Sequence, residues 1–133
     1  MAPRWRKICA TGVIAAACRR VGAKLLYIST DYVFPGEGET PYEVDAATGP
    51  KNVYGASKLA GEQAVRAALA EHFIVRVSWV FGVHGGNFIR TMLNLAKTHD
   101  RLTVVADQIG SPTYTVDLAR LLADMVESRC YGT

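Results

Sequence analysis

The sequence predicts an α/β fold: a parallel sheet with helices on both of its faces. Helical and extended patterns alternate along the chain, and this alternation is typical of parallel strands that are joined by helices. The composition agrees, because 50% of the 133 residues are hydrophobic and 20% are charged, as in a globular domain. A chain of this length fits one domain or part of a larger one.

The first part of the chain contains one helix, one strand and a long irregular segment. A helix is predicted at about 11–21, and a buried strand follows Gly22 at about 24–30. From Pro35 to Asn52 the chain is acidic and rich in glycine and proline. A connection of this length is usually either functional or disordered, and we favour a functional segment because Tyr42 and Val44 can pack against the domain. The helix is predicted to bury the apolar residues that recur at helical spacing, Val13, Ile14, Ala17, Cys18 and Val21.

The rest of the chain alternates helices with strands. Apolar periodicity predicts helices at about 53–70, 87–97 and 116–127, the last with Thr115 as its cap. Runs of β-branched and aromatic residues predict strands at about 73–80 and 102–106. Three strands are few for a sheet covered on both faces, and the chain opens on a helix. We therefore expect the sequence to be cut at both ends.

Several classes of function are not expected. The net charge of +3 is modest, and no aromatic residues are interleaved with Arg19, Arg20 and Lys24, so nucleic-acid binding is not predicted. No apolar run is long enough to cross a bilayer. The basic start and the apolar run after it imitate a secretory signal, but the helical spacing favours a buried helix. Cys9, Cys18 and Cys130 are odd in number and widely spaced, so no disulfide framework is predicted and a reducing, cytoplasmic location fits best. Neither these cysteines nor the isolated His72, His84 and His99 have metal-ligand spacing, so no metal is expected.

Two features indicate chemistry. The first strand ends in Ser29, Thr30 and Asp31, and open parallel sheets bind ligands outside the carboxyl ends of their strands. Tyr54 lies four residues before Lys58 at the start of a helix, so the two side chains share one helix face. A neighbouring ammonium stabilises a phenolate and lowers the pKa of a tyrosine, which is about 10 in isolation. Such a pair is commonplace on helices, and its combination with the strand-end hydroxyl is what makes Tyr54 a candidate for proton transfer.

The segments that contain these residues resemble the extended short-chain dehydrogenase/reductases. The likeness extends over residues 11–127 and is strongest in STDYVF (29–34), YGASK (54–58), SWVFG (78–82) and DQIGSPT (107–113). The Tyr-x-x-x-Lys spacing is generic to this family. The other three segments together are most similar to its reductases of nucleotide-linked 4-keto sugars.

The resemblance implies a Rossmann-type sheet, a nicotinamide cofactor and a nucleotide-sugar substrate. It implies that Tyr54 is the general acid toward the C4 oxygen and that Lys58 lowers the pKa of this phenol and binds the nicotinamide ribose. Thr30 would hydrogen-bond the reacting carbonyl, and Asp31 and Trp79 would contact the substrate. The implied cofactor is NADPH, with NADH left open. The residues alone leave two alternatives, a core role for Trp79 and a turn-bracing role for Asp31.

Other functions stay open at this point. A nucleotide-sugar epimerase would have the same fold, although Trp79 and the DQIGSPT loop speak against it. A non-catalytic binding subunit, similar to the regulatory subunit of methionine adenosyltransferase, shares stretches like STDYVF and YGxSK. A homodimer of the parent protein is also left open, and neither a nucleic-acid nor a membrane partner is expected.

The family pattern begins with a strand and a glycine-rich turn at the N-terminus of a helix that binds the cofactor pyrophosphate, and this sequence contains no such turn. We therefore interpret residues 1–133 as a partial domain that lacks the N-terminal dinucleotide-binding half. The 133-residue chain by itself is predicted to bind NADPH weakly and to turn over little or no substrate. A fluorescence titration with NADPH measures this affinity, and tight binding would contradict the prediction.

Overall fold

The chain forms two compact units, and each unit contains one pair of parallel strands. The computed structural model describes residues 5–133, with side chains from residue 10 onward. One unit comprises the chain up to Val77 together with Ala123–Thr133, and the other is Ser78–Leu122. Both strand pairs are parallel, so the predicted α/β class with parallel strands is confirmed.

The first unit is built from two strands and two helices. Strand β1 (Leu25–Thr30) pairs along its length with β2 (His72–Val77). Helices α1 (Trp5–Val21) and α2 (Val53–Ala68) pack on each other, and α2 also packs on β1. A short 3₁₀ turn at Asp31–Val33 directly follows β1. The carboxyl end of β1 therefore leads straight into the polar segment that the sequence marks as a candidate site.

Small and β-branched side chains form the core of this unit. Ala15 of α1 and Val65 of α2 are fully buried, and Ile74 of β2 is 2% exposed. Leu25 and Tyr27 of β1 pack against this cluster. Because the three buried side chains come from three different elements, burial of their apolar surface fixes α1, α2 and β2 together.

The face that α1 buries differs from the predicted one. Val13, Ile14 and Val21 are each more than half exposed, whereas Ala15 is fully buried between α1 and its neighbours. A side chain as small as alanine lets two helices approach closely, and a larger apolar residue at the contact would hold them apart. The predicted burial of Val13, Ile14, Ala17 and Val21 is therefore wrong, and Cys18 is only partly buried.

The second unit contains two short strands and most of the remaining helical structure. Strand β3 (Val80–Phe81) pairs with β4 (Thr113–Tyr114), and α3 (Phe88–Leu95) lies between them in the chain. Helix α4 (Thr115–Glu127) begins in this unit. Within Ser78–Leu122, all of which the structure describes, no residue is buried. The apolar faces predicted for α3 and α4 are thus only partly covered.

Three predictions near this part of the chain are wrong: one strand, the end of another strand and one helix cap. Residues 102–106 form no strand, and Val104 and Val105 are 47% and 66% exposed. β-branched residues favour an extended backbone, but a strand also needs a neighbour with which to pair. The strand predicted at 73–80 stops at Val77, because Trp79 has a left-handed backbone with φ 44° and interrupts the extended chain. Helix α4 begins at Thr115 itself, so this residue is not its cap.

The long segment after the 3₁₀ turn is irregular, as predicted, but its conformation is held by specific contacts. The rings of Phe34 and Tyr42 stack with centroids 4.6 Å apart. Arg76 of β2 donates from Nη1 to the backbone oxygen of Val44 at 3.0 Å, and Gly49 N–H donates to the backbone oxygen of Val33 at 3.0 Å. Tyr42 packs as expected, whereas Val44 contributes its carbonyl and leaves its side chain 65% exposed.

No helix among the described residues has both the length and the apolar character needed to span a bilayer. Cys18 and Cys130 are free thiols, and Cys9 lies outside the residues whose side chains are described.

Replacing Gly55 by alanine is predicted to destabilise the protein. A Cβ at this position would lie 2.1 Å from the backbone oxygen of Tyr32 and 3.1 Å from the Cβ of Pro50, so α2 would have to move away from the 3₁₀ turn. We expect the free energy of unfolding to fall by roughly 2 kcal/mol, as in other overpacked sites. Urea unfolding of the whole protein measures the change. Gly86→Ala is the matched control, because no atom lies within 4 Å of its added Cβ. Equal unfolding midpoints for the two variants would contradict the prediction.

Candidate active site

The start of α2 is fixed against the end of β1. Asn52 caps the helix, with its side-chain oxygen accepting a hydrogen bond from Gly55 N–H at 2.7 Å. Gly55 is buried and lies directly against the backbone carbonyl of Tyr32 in the 3₁₀ turn. Only a residue without a side chain permits this approach. The first turn of α2, which includes Tyr54, is consequently held beside the residues that follow Thr30.

Tyr54 lies at this contact with much of its side chain exposed. Its ring meets the ring of Tyr32 edge-to-face, with centroids 5.9 Å apart and planes at 78°. The residue is 52% exposed, so a ligand can reach it from solvent. Tyr54 is therefore held on one side by Tyr32 and accessible on the other, which is the arrangement that a proton donor to a bound ligand requires.

Lys58 lies one helical turn further along α2 and reaches β1. Its ammonium donates to the backbone oxygen of Ile28 at 2.5 Å and lies 4.1 Å from the centroid of the Tyr27 ring. Burial lowers the pKa of the Lys58 ammonium, and interactions with the phenolate of Tyr54 and the carboxylate of Glu62 oppose that lowering. The Lys58 ammonium and the Tyr54 phenol thus interact electrostatically.

Thr30 and Asp31 form a hydrogen-bonded pair at the carboxyl end of β1. The Thr30 hydroxyl donates to the Asp31 carboxylate at 2.9 Å and accepts from Tyr32 N–H at 3.3 Å. Thr30 is 5% exposed and caps the 3₁₀ turn, whereas Asp31 is half-buried. Asp31 therefore does brace the turn, which was one of the two roles left open for it.

The first unit thus contains four of the five predicted site residues. Thr30 and Asp31 lie at the end of β1, and Tyr54 and Lys58 lie at the start of the helix that packs on it. Tyr32 links the two groups, through its N–H to Thr30 and through its ring to Tyr54. No group of three or more His, Cys, Asp or Glu residues within the described part of the chain could hold a metal ion.

Trp79 belongs to the second unit and lines a cavity there. The indole is 48% exposed and packs on Gly110 of the DQIGSPT loop, where an added Cβ would lie 2.9 Å from the ring. The cavity has a volume of about 670 Å³ and is lined chiefly by apolar side chains, among them Phe81, Phe88 and Met92. Trp79 is therefore a wall of a cavity and not a buried core residue. Left-handed backbone in a bulky residue is strained, and such strain is commonly found at ligand sites.

Two residues next to the candidate site, Glu62 and Arg76, were not predicted from the sequence. Glu62 is fully buried, and its carboxylate accepts a hydrogen bond from Ser29 and forms an ion pair with Arg76 of β2. Glu62 follows Lys58 by four residues, so it lies on the same helix face as Tyr54 and Lys58. That spacing, together with a single arginine among the apolar residues Phe73, Ile74, Val75 and Val77, was the signal available in the sequence.

Several known proteins with similar sequences are named dTDP-4-dehydrorhamnose reductase. The chain is 52% identical over 118 residues to the dTDP-4-dehydrorhamnose reductase of Mycolicibacterium smegmatis, which covers 87% of this chain and 36% of that protein. It is 51% identical over 111 residues to the enzyme of the same name from Escherichia coli K12, covering 84% of this chain and 36% of that protein. The chain thus spans about a third of the length of these curated relatives.

Solved structures agree with the sequence relatives. The crystal structure of a dTDP-4-dehydrorhamnose reductase from Bacillus anthracis in complex with NADP matches with a TM-score of 0.88 at 48% identity, over 92% of this chain and 44% of that chain. A UDP-N-acetylglucosamine 4-epimerase from Bacillus cereus matches with a TM-score of 0.76 over 92% of this chain and 46% of that chain. Its identity of 21% supports a shared fold alone.

The family model for the RmlD substrate binding domain matches residues 7–133, which is nearly the whole sequence. The resemblance read from the residues is therefore confirmed and made more specific: the chain belongs to the RmlD substrate binding domain family.

Proposed function

We propose that the whole protein reduces the 4-keto group of a dTDP-linked 6-deoxyhexulose with NADPH and yields dTDP-L-rhamnose. The observation that carries this proposal is the placement of Tyr54 and Lys58 on one face of α2, packed against the end of β1 that bears Thr30. The chain has 52% and 51% sequence identity to two proteins named dTDP-4-dehydrorhamnose reductase, and this similarity supports the choice of substrate.

Tyr54 is proposed as the proton donor to the C4 oxygen. The phenol O–H bond breaks as the new O–H bond of the product alcohol forms, so a negative charge develops on the Tyr54 oxygen. The Lys58 ammonium, already coupled to this phenol, stabilises that charge. General acid catalysis of this kind contributes a factor of roughly 10² to 10⁴ to the rate.

The residues present fit a nicotinamide cofactor at this position. An ammonium has three N–H donors, and a single hydrogen bond ties Lys58 to the backbone oxygen of Ile28. Lys58 therefore has donors left for a ribose hydroxyl, and Tyr54 is accessible beside it. When bound, NADPH supplies the hydride for C4, while the protein supplies position and protonation.

Thr30 and Asp31 are proposed to meet the substrate together. A hydroxyl has one proton, so Thr30 can donate either to Asp31, as the structure shows, or to the carbonyl oxygen of the substrate. We propose that Thr30 turns its proton toward the carbonyl and that Asp31 accepts a hydrogen bond from the sugar nucleotide instead. Trp79 is proposed to place its exposed indole against an apolar edge of the sugar.

The alternatives considered from the sequence are less well supported. The epimerase match has 21% identity, against 48% for a reductase structure of similar coverage. The binding-subunit alternative is separated from the proposal by the activity measurement below. We propose that the protein binds the nucleotide sugar and neither a nucleic acid nor a membrane. We also propose that it forms a homodimer and acts in the cytoplasm.

Removing the Tyr54 hydroxyl is predicted to abolish most of the activity. In the whole protein, Tyr54→Phe should lower kcat by about 100-fold or more and change the KM for the sugar nucleotide little, because the ring contact with Tyr32 survives while the proton donor is lost. The measurement follows NADPH absorbance in the presence of dTDP-4-dehydrorhamnose.

The matched control is Tyr131→Phe, which removes a hydroxyl from a ring that packs on Phe73 away from the candidate site. It should retain wild-type kcat. A wild-type protein that consumes no NADPH with this substrate, or a Tyr54→Phe variant as active as wild type, would overturn the proposed function.

A further inference from the structure

We propose that Glu62 is a positioning residue for the reaction: its buried carboxylate ties α2 to both strands and thereby fixes Tyr54 and Lys58 relative to Thr30. This inference deepens the proposed function and rests on it. Tyr54, Lys58 and Glu62 follow one another at intervals of four residues, so they form one stripe along the face of α2. Glu62, at the far end of this stripe, is anchored to both strands of the sheet.

The anchor consists of four hydrogen bonds to one carboxylate. Oε1 accepts from Ser29 Oγ at 2.5 Å and from Arg76 Nε at 3.0 Å. Oε2 accepts from Arg76 Nη2 at 2.8 Å and from Arg66 Nη2 at 3.3 Å. The side chain of Glu62 is 0% exposed and that of Arg76 is 11% exposed. A bidentate pair of this kind restricts both distance and direction, so the carboxylate can occupy few positions.

The register of the sheet explains why both strands contribute. Ser29 of β1 and Arg76 of β2 are direct partners in the parallel ladder, so their side chains project from the same face of the sheet. That face is the one on which α2 packs. Ser29 is also the residue before Thr30, so the anchor joins the helix to the strand within one residue of the proposed carbonyl contact.

A second pair of contacts extends the anchor to the irregular segment. Besides its bonds to Glu62, Arg76 donates to the backbone oxygen of Val44 and places its guanidinium 4.8 Å from the centroid of the Phe34 ring. The segment that follows the 3₁₀ turn is therefore braced by the same arginine that holds α2.

Stability alone does not account for a buried ion pair at this place. Taking two charges out of water is costly, and well-packed apolar side chains often stabilise a protein equally well or better. What an ion pair with fixed hydrogen bonds adds is a defined geometry and a defined charge. Both are useful where a general acid and its ammonium partner must be held within a fraction of an ångström.

The charge of Glu62 also acts on Lys58. Its carboxylate favours the ammonium form and opposes the burial that lowers the pKa of Lys58. Burial works to raise the pKa of Glu62 itself, but hydrogen bonds from Arg76 and Ser29 and the charges of Arg76 and Arg66 outweigh burial and hold this pKa below its ordinary value. Glu62 is thus ionised throughout the neutral and alkaline range in which the ammonium titrates. Lys58 is faced by Tyr54 and Glu62 from α2 and by Tyr27 and the carbonyl of Ile28 from β1.

The test is Glu62→Gln in the whole protein, a change that keeps the size of the side chain and removes its charge. We expect kcat to fall about tenfold with KM for the sugar nucleotide within about twofold of wild type, because bound substrate meets a misplaced acid. Without the carboxylate the pKa of Lys58 falls further, so the alkaline limb of the kcat profile should move to lower pH. Glu71→Gln, at an exposed position outside the site, should match wild type in both readouts.

Ser29→Ala is the second variant, in case Glu62→Gln does not fold. It removes one of the four hydrogen bonds and leaves the ion pair with Arg76 intact, so kcat should fall about threefold without a change in KM. Kinetics are measured on folded protein, checked by circular dichroism. Wild-type kcat and pH profile in folded Glu62→Gln, or wild-type kcat in Ser29→Ala where the first variant is unfolded, would overturn the positioning role. An inactive wild type would instead contradict the proposed function.

Discussion

Burial of the Glu62 carboxylate is the constraint on which the arrangement of the first unit depends. An ionised carboxylate cannot be taken out of water unless opposite charge and hydrogen-bond donors surround it. Here the donors come from both strands of the sheet and from the next turn of the same helix. Helix α2 therefore cannot slide or rotate on the sheet without leaving a buried charge unpaired. Apolar contacts between Ala15, Val65 and Ile74 bring the elements together, but they would tolerate small shifts that the ion pair does not.

The candidate site lies at the other end of the same helix, where a second close contact limits movement. Gly55 packs against a backbone carbonyl of the 3₁₀ turn, and Asn52 closes the first turn of the helix. Between the two contacts, Lys58 reaches back to β1. The stripe that contains the phenol and the ammonium is thus held at both ends and in the middle. A rigid helix is well suited to catalysis, because groups on it keep their geometry better than groups on loops.

The two units differ in how completely they are packed. Among the residues whose burial is described, the first unit contains all of the buried core residues and the second contains none. In the second unit, Trp79 has a left-handed backbone and α3 exposes apolar side chains. A cavity is lined by Trp79 and by residues of α3, where a better packed unit would have a buried core. Segments with few buried contacts are generally more mobile than packed ones, so the second unit is expected to be the less rigid of the two.

The sequence by itself determined the features that depend on neighbours along the chain. Helical periodicity and breakers placed three of the four helices to within a few residues, whereas α1 begins at Trp5, well before the predicted start at about 11. The i, i+4 spacing placed Tyr54 and Lys58 on one face. Tertiary structure decided whatever depends on distant partners. Val104 and Val105 favour a strand but have no strand beside them, and α1 buries Ala15 because close helix packing selects a small side chain. In the sequence, Glu62 and Arg76 look like ordinary charged residues, and the fold brings them together. Glu62 is 14 residues from Arg76 and 33 residues from Ser29 along the chain. Local propensity acts over a few residues, whereas burial and charge pairing are settled only when the elements meet.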